Sequence, residues 1–198
     1  HVESPTPIVR TRLSRVGEGT EVLVYVRDQK DLFARICGWF ESRGLSIMDA
    51  RIHTTRHGYA LDTFLVTDER GHYDHYRELL SLIEVELSQW ISSATPLPPP
   101  NKGRLSRQSR HFPVSPAVKL QPDEGGQQFL LNITATARVG LLYAIARVLA
   151  AHHVAVHTAK VNTLGERAED IFLIEGESLA TERGQLHLES DLLDAIAP

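Results

Sequence analysis

The chain has 198 residues, 42% of them apolar and 23% charged, which suits one large or two small soluble domains and excludes wholesale disorder and fibrous repeats. Twenty-one basic against 25 acidic side chains leave a net charge of −4, which argues against a general nucleic-acid binder. A single cysteine, Cys37, closes no internal disulfide, so a reducing, cytoplasmic setting is expected; no apolar run is long enough to span a membrane, so no membrane partner is expected.

The chain opens His1-Val2-Glu3-Ser4-Pro5, with neither Met nor an apolar leader, which reads as a piece of a longer chain with residues 1–19 as an N-terminal extension. Val22–Val26 is predicted as a strand from its β-branched and large apolar residues. Helical spacing of Leu32, Phe33, Ile36 and Phe40 follows, with Gly44 marking the helix end. Second and third strands are predicted at Ile47–Thr54 and Tyr59–Val66, joined by a turn containing Gly58. His72–Ile91 reads as a longer helix with Leu79, Leu80, Ile83 and Leu87 on one stripe.

Residues 93–116 differ in character. Six of the ten prolines fall between Pro96 and Pro116, and Lys102, Arg104, Arg107 and Arg110 occur with no acidic neighbour, as in an extended, solvated basic linker. Val118-Lys119-Leu120 then reads as a fourth strand, in 117–122, closing the first domain.

A second copy occupies 127–198. An offset of 109 residues carries Leu32, Ile36, Ala50 and Thr54 onto Leu141, Ile145, Ala159 and Thr163. With one residue dropped in a turn, Ala60, Asp62, Phe64 and Leu65 fall on Ala168, Asp170, Phe172 and Leu173. Its elements are Leu130–Thr134, a helix bearing Leu141, Leu142, Ile145 and Leu149, strands Val154–Thr163 and Arg167–Glu175, and a final helix over roughly Glu189–Ala197. His153 replaces Gly44 at the helix end, so the C-cap chemistry is expected to differ between the copies. A fourth strand is either absent from this copy or supplied by Pro7-Ile8-Val9-Arg10. The fold class is α+β, two ferredoxin-like βαββαβ domains in tandem, the first over 20–92. Turns at Thr55–Gly58 and Leu164–Glu166 would set Arg51 across from Asp62 and Lys160 across from Asp170, as ladder ion pairs.

No phosphate loop, zinc-protease helix, nucleophile elbow or paired metal carboxylates occur, so the chain is expected to be non-catalytic and without a cofactor. His72-x-x-His75 and the group His152, His153 and His157 read as surface histidines rather than metal ligands. The remaining candidate is the turn before each first helix, where bare helix-start amides suit a small carboxylate. In the second copy it is Ala137, Arg138, Val139, Gly140 and Leu141, with Gly140 allowing close approach. In the first it is Asp28, Gln29, Asp31 and Leu32, with Asp31 expected to cap its own helix.

Arg27-Asp28-Gln29, Leu32–Ile36, Asp49–Arg56 and Ala60–Phe64 closely resemble an ACT domain, and Ala159–Val161 through Gly165–Asp170 resembles a second. Their order resembles the C-terminal tandem ACT region of the bacterial bifunctional uridylyltransferase/uridylyl-removing enzyme family. The resemblance implies a regulatory module that senses L-glutamine and biases upstream catalytic domains acting on the PII protein. It also implies a ligand held where one copy's turn meets the other copy's second strand, near Asp49 (Met48–Ala50) and Thr158 (His157–Ala159). A ligand-free homodimerisation or docking module is the alternative.

Overall fold

The computed structural model describes residues 6–15, 18–68, 71, 73, 75–100, 111 and 114–198. The basic middle of the expected linker and His72 lie outside them. The chain divides into two compact units, His1–Pro98 and Pro99–Pro198.

In the first unit the elements are β1 (Ile8–Leu13), β2 (Thr20–Arg27), α1 (Leu32–Ser42), β3 (Ser46–Thr54), β4 (Tyr59–Thr67) and a helical run of α2 (Tyr76–Leu82), a π-helical turn (Ile83–Leu87) and α3 (Ser88–Ser92). The second unit repeats the plan with β5 (Ala117–Pro122), β6 (Phe129–Thr136), α4 (Leu141–Ala151), β7 (Ala155–Leu164), β8 (Arg167–Glu175), a 3-10 turn (Glu177–Ala180) and α5 (Glu182–Ile196). Strands neighbour one another as β1-β2-β4-β3 in one unit and β5-β6-β8-β7 in the other, all antiparallel.

This is the ferredoxin-like sheet with its connectivity corrected. The fourth strand, expected last in the first unit, comes first there, and the second unit, expected to lack a fourth strand or to borrow Pro7–Arg10, also begins with one of its own. Ala117–Pro122 does not close the first unit; it pairs with β6, and Ile8–Leu13 pairs with β2 rather than serving the second copy. Only a short connection separates each of these strands from its partner, so neighbours in sequence pair in space. Glu84, on the π-helical turn, fixes β1 further: its Oε1 accepts from the Thr11 amide at 2.8 Å and the Thr11 hydroxyl at 2.9 Å.

Alternation along the strands sorts the faces. Val22, Val24, Val26, Ala60, Phe64 and Val66 are buried under the helices, as are Leu131, Ile133, Ala135, Ala168, Phe172 and Ile174. Leu79, Ile83, Leu87 and Ile91 recur every fourth residue and are all buried. In an ideal α-helix such a stripe drifts by about 40° per step, and the wider π turn keeps it on the sheet. The final helix starts at Glu182, earlier than expected, because the Thr181 hydroxyl caps it by accepting from the Gly184 amide at 3.1 Å.

The first helix of each unit ends alike. Gly44 and His153 both take the left-handed conformation, at φ 71° and 54°, and the next amides bond back to Phe40 and Leu149 at 2.9 Å. The units differ at the helix flank. Arg35, on α1, is buried and donates to the carbonyls of Trp90 at 2.9 Å, Ser93 at 2.9 Å and Thr95 at 2.6 Å, while Trp90 Nε1–H donates back to the Arg35 carbonyl at 2.9 Å. Its guanidinium lies 4.9 Å from the Trp90 ring centroid. Arg35→Ala should lower stability by about 2–4 kcal/mol by stranding these carbonyls; urea unfolding reads the loss, and a change below about 0.5 kcal/mol would contradict it.

Candidate functional site

Each first helix begins from a left-handed residue. Asp31 has φ 61° and Gly140 φ 89°. Gly140 takes this conformation freely, while Asp31 is among the few L-residues that tolerate it. The expectation that Asp31 caps α1 is corrected: its side chain makes no cap hydrogen bond, and Gly140 has none to offer. A capping side chain needs extended backbone at that position, and the left-handed turn removes it. The first amides of α1 and α4 therefore carry their partial positive charge without a side-chain cap in both units.

The turns are clasped alike by different residues. The amides of Asp28 and Ala137 donate to the carbonyls of Gly58 and Glu166, both at 2.8 Å. Gln29 Nε2–H donates to the Ile91 carbonyl at 3.2 Å, and the Arg138 guanidinium to the Ala195 carbonyl at 2.7 Å. These two side chains thus tie the turn to the end of the unit's last helix. Leu32 and Leu141 are each 5% exposed and pack into the core, so only their backbones face the turn. Val139 is 41% exposed.

Asp49 and Thr158 occupy equivalent places, each just after a bulge, opposite Leu65 and Leu173. Within its own unit each lies about six strand positions, roughly 20 Å, from the turn, so no single unit gathers turn and strand together. Asp49 instead lines an open groove of about 990 Å³ with Arg10, Arg12, Glu21, Arg51 and Thr63 on the outer sheet face.

Arg138 borders a cleft of about 450 Å³ with Ala144, Arg147, Val148, Asp194 and Ala195. The repeat sets Ala144 where the first unit has Arg35, so the second unit is open where the first is plugged by a guanidinium.

Sequence reasoning placed Asp62 and Asp170 wrongly. Arg51 lies opposite Thr63 and Lys160 opposite Ile171; Asp62 faces Val24 and Ile52, and Asp170 faces Ile133 and Val161. The connections hold Thr54 against Ala60 and Leu164 against Arg167, one residue away from the expected registers, and a one-residue slip sends a side chain through the sheet. Both aspartates are buried, at 0% and 2% exposure. Neither Asp62 oxygen, nor Oδ1 of Asp170, has a hydrogen-bond partner among the described residues. Burial lifts each carboxyl to about 7. The backbone near His53 and near Asn162 partly offsets the lift without a well-formed hydrogen bond to those oxygens, and the Asp28 carboxylate in the turn adds to it for Asp62.

No family model matches the chain. Over 197 residues it is 59% identical to a bifunctional uridylyltransferase/uridylyl-removing enzyme of Cupriavidus metallidurans, covering 99% of this chain and 23% of that protein. Proteins of the same description from Ralstonia nicotianae and Burkholderia mallei are 58% identical over 203 residues and 53% over 197, each again matched over 23% of its length. The chain thus spans about a quarter of these relatives. Among solved structures, an aspartate kinase from Synechocystis aligns with a TM-score of 0.47 at 18% identity, covering 89% of this chain and 28% of that one.

The raised carboxyls set a pH dependence. The native protein holds these protons where the unfolded chain has released them, so the contribution of these two carboxyls to stability is greatest below about pH 4, declines toward pH 7 and levels off above it. Asp62→Asn and Asp170→Asn should each shrink the stability difference between pH 5 and pH 8 by about 2–3 kcal/mol. Urea unfolding at the two pH values checks this; an unchanged difference would contradict it.

Proposed function

We propose that this chain, which belongs as one segment to the bifunctional uridylyltransferase/uridylyl-removing enzymes, is their C-terminal regulatory module, a tandem pair of ACT-type domains that binds L-glutamine and takes no cofactor itself. The observation that carries the reading is the duplicated turn, left-handed at Asp31 and Gly140, which leaves helix-start amides without a side-chain cap. An amino acid's α-carboxylate is the small anion such amides accept. The proposed contacts are the backbones of Asp28, Asp31, Leu32, Ala137, Val139, Gly140 and Leu141, with Gln29 and Arg138 holding the turns in place. Asp49 and Thr158 remain proposed contacts from the resemblance.

Binding shifts the parent enzyme only through different affinities for its states, an effect worth about 1–3 kcal/mol. On this reading glutamine biases the upstream catalytic domains between uridylylating PII and removing the uridylyl group, in the cytoplasm, without membrane or nucleic acid. Exposed apolar residues on the outer sheet faces, Leu61 at 37% and Ile171 at 47%, favour the second reading, a homodimerising or docking module. Light scattering unaffected by amino acids, with a dimer throughout, would select it.

Calorimetry separates the two. The chain should release or absorb heat with L-glutamine at millimolar concentration or below, and much less with L-glutamate. Gly140→Ala should weaken binding at the second unit by about tenfold, since a left-handed Ala costs about 1–2 kcal/mol and favours relaxing the free turn out of the conformation that presents the amides. Absence of heat with glutamine would contradict the sensor reading.

A further inference from the structure

We propose that His152, His187 and Asp191 form a binding site for a late first-row divalent cation, with Zn²⁺ the fitting member. The three lie in the second unit, and their ligand atoms fall within 4.8 Å of one another. His152 follows the last turn of α4, while His187 and Asp191 stand one turn apart on α5. Both imidazole Nε2 atoms converge on one oxygen, Asp191 Oδ2, at 2.7 Å from His152 and 3.4 Å from His187.

The spacing suits coordination. Ligands held about 2.1 Å from a tetrahedral zinc ion stand about 3.4 Å apart, which is the His187–Asp191 separation. The His152–Asp191 separation needs to open by about 0.7 Å, a movement within the reach of Asp191, whose side chain is 43% exposed. Two imidazoles and one carboxylate are borderline donors that favour zinc over calcium or magnesium. They leave a fourth position for water.

The site is built rather than scattered. The His152 side chain is only 9% exposed, its ring packs edge-on against His187 with centroids 4.7 Å apart, and the Ser178 hydroxyl donates to its carbonyl at 3.3 Å. His153, next in sequence, is exposed and outside the group, whereas His152, expected to be a surface histidine, is largely buried. A bound ion clips the end of α4 to α5.

The test is calorimetry and thermal unfolding of the full chain, stripped with chelator and titrated with zinc chloride. One equivalent should bind and raise the melting temperature. His187→Gln and Asp191→Asn should each weaken that binding at least about tenfold and abolish the thermal shift. His153→Asn should leave both unchanged. His187 is 69% exposed, so its replacement spares the core, and circular dichroism confirms each variant's fold. Wild-type affinity in both His187→Gln and Asp191→Asn would overturn the proposal, as would equal weakening in His153→Asn or no thermal shift with excess zinc. The outcome is independent of glutamine binding.

Discussion

The arrangement around each candidate site depends on one backbone constraint: the chain leaving the first long strand turns into its helix through a left-handed residue. That geometry removes the extended position from which a side chain caps a helix. The following amides are left without a side-chain cap, the Leu141 amide making only a long 3.3 Å bond to the Arg138 carbonyl, and they direct their partial positive charge at the turn. The rest of each unit holds this turn still. The strand hairpin receives the Asp28 or Ala137 amide, and the end of the last helix receives Gln29 or Arg138. Two chemically different side chains doing the same task marks the clasp as a requirement of the fold.

Against that shared frame the units have diverged in charge and volume. Asp28 becomes Ala137, removing a carboxylate that pushes up the Asp62 carboxyl. Arg35 becomes Ala144, and a buried guanidinium bound to helix-end carbonyls gives way to a cleft. The buried aspartates are kept in both. An ionised carboxylate in such a place, short of hydrogen-bond donors, costs several kcal/mol, so these positions work against stability at neutral pH. Sites that reduce stability while recurring in a duplicated frame are where local rules yield to function.

Much of the fold was legible in the sequence. The repeat fixed two units, and the change from strand to helical spacing located most elements within a few residues. The fourth strands were misassigned although the signal was present, because the same offset of 109 carries Ile8–Leu13 onto Ala117–Pro122. The hairpin registers were lost to turn geometry, which spacing alone does not determine to a single residue. At the site, the turns themselves were readable. The clasping roles of Gln29 and Arg138 were not, since their acceptors at Ile91 and Ala195 lie far along the chain. Asp31 misled because aspartate favours both helix caps and left-handed turns, and only the backbone angle distinguishes them.

The most direct measurement of the central claim is backbone-amide NMR of the full chain during titration with L-glutamine. The account predicts saturable shifts concentrated at the amides of Leu32–Ala34, of Leu141–Tyr143, or of both. Saturable shifts that leave both helix starts unmoved, or no shifts at all at millimolar glutamine, would contradict it.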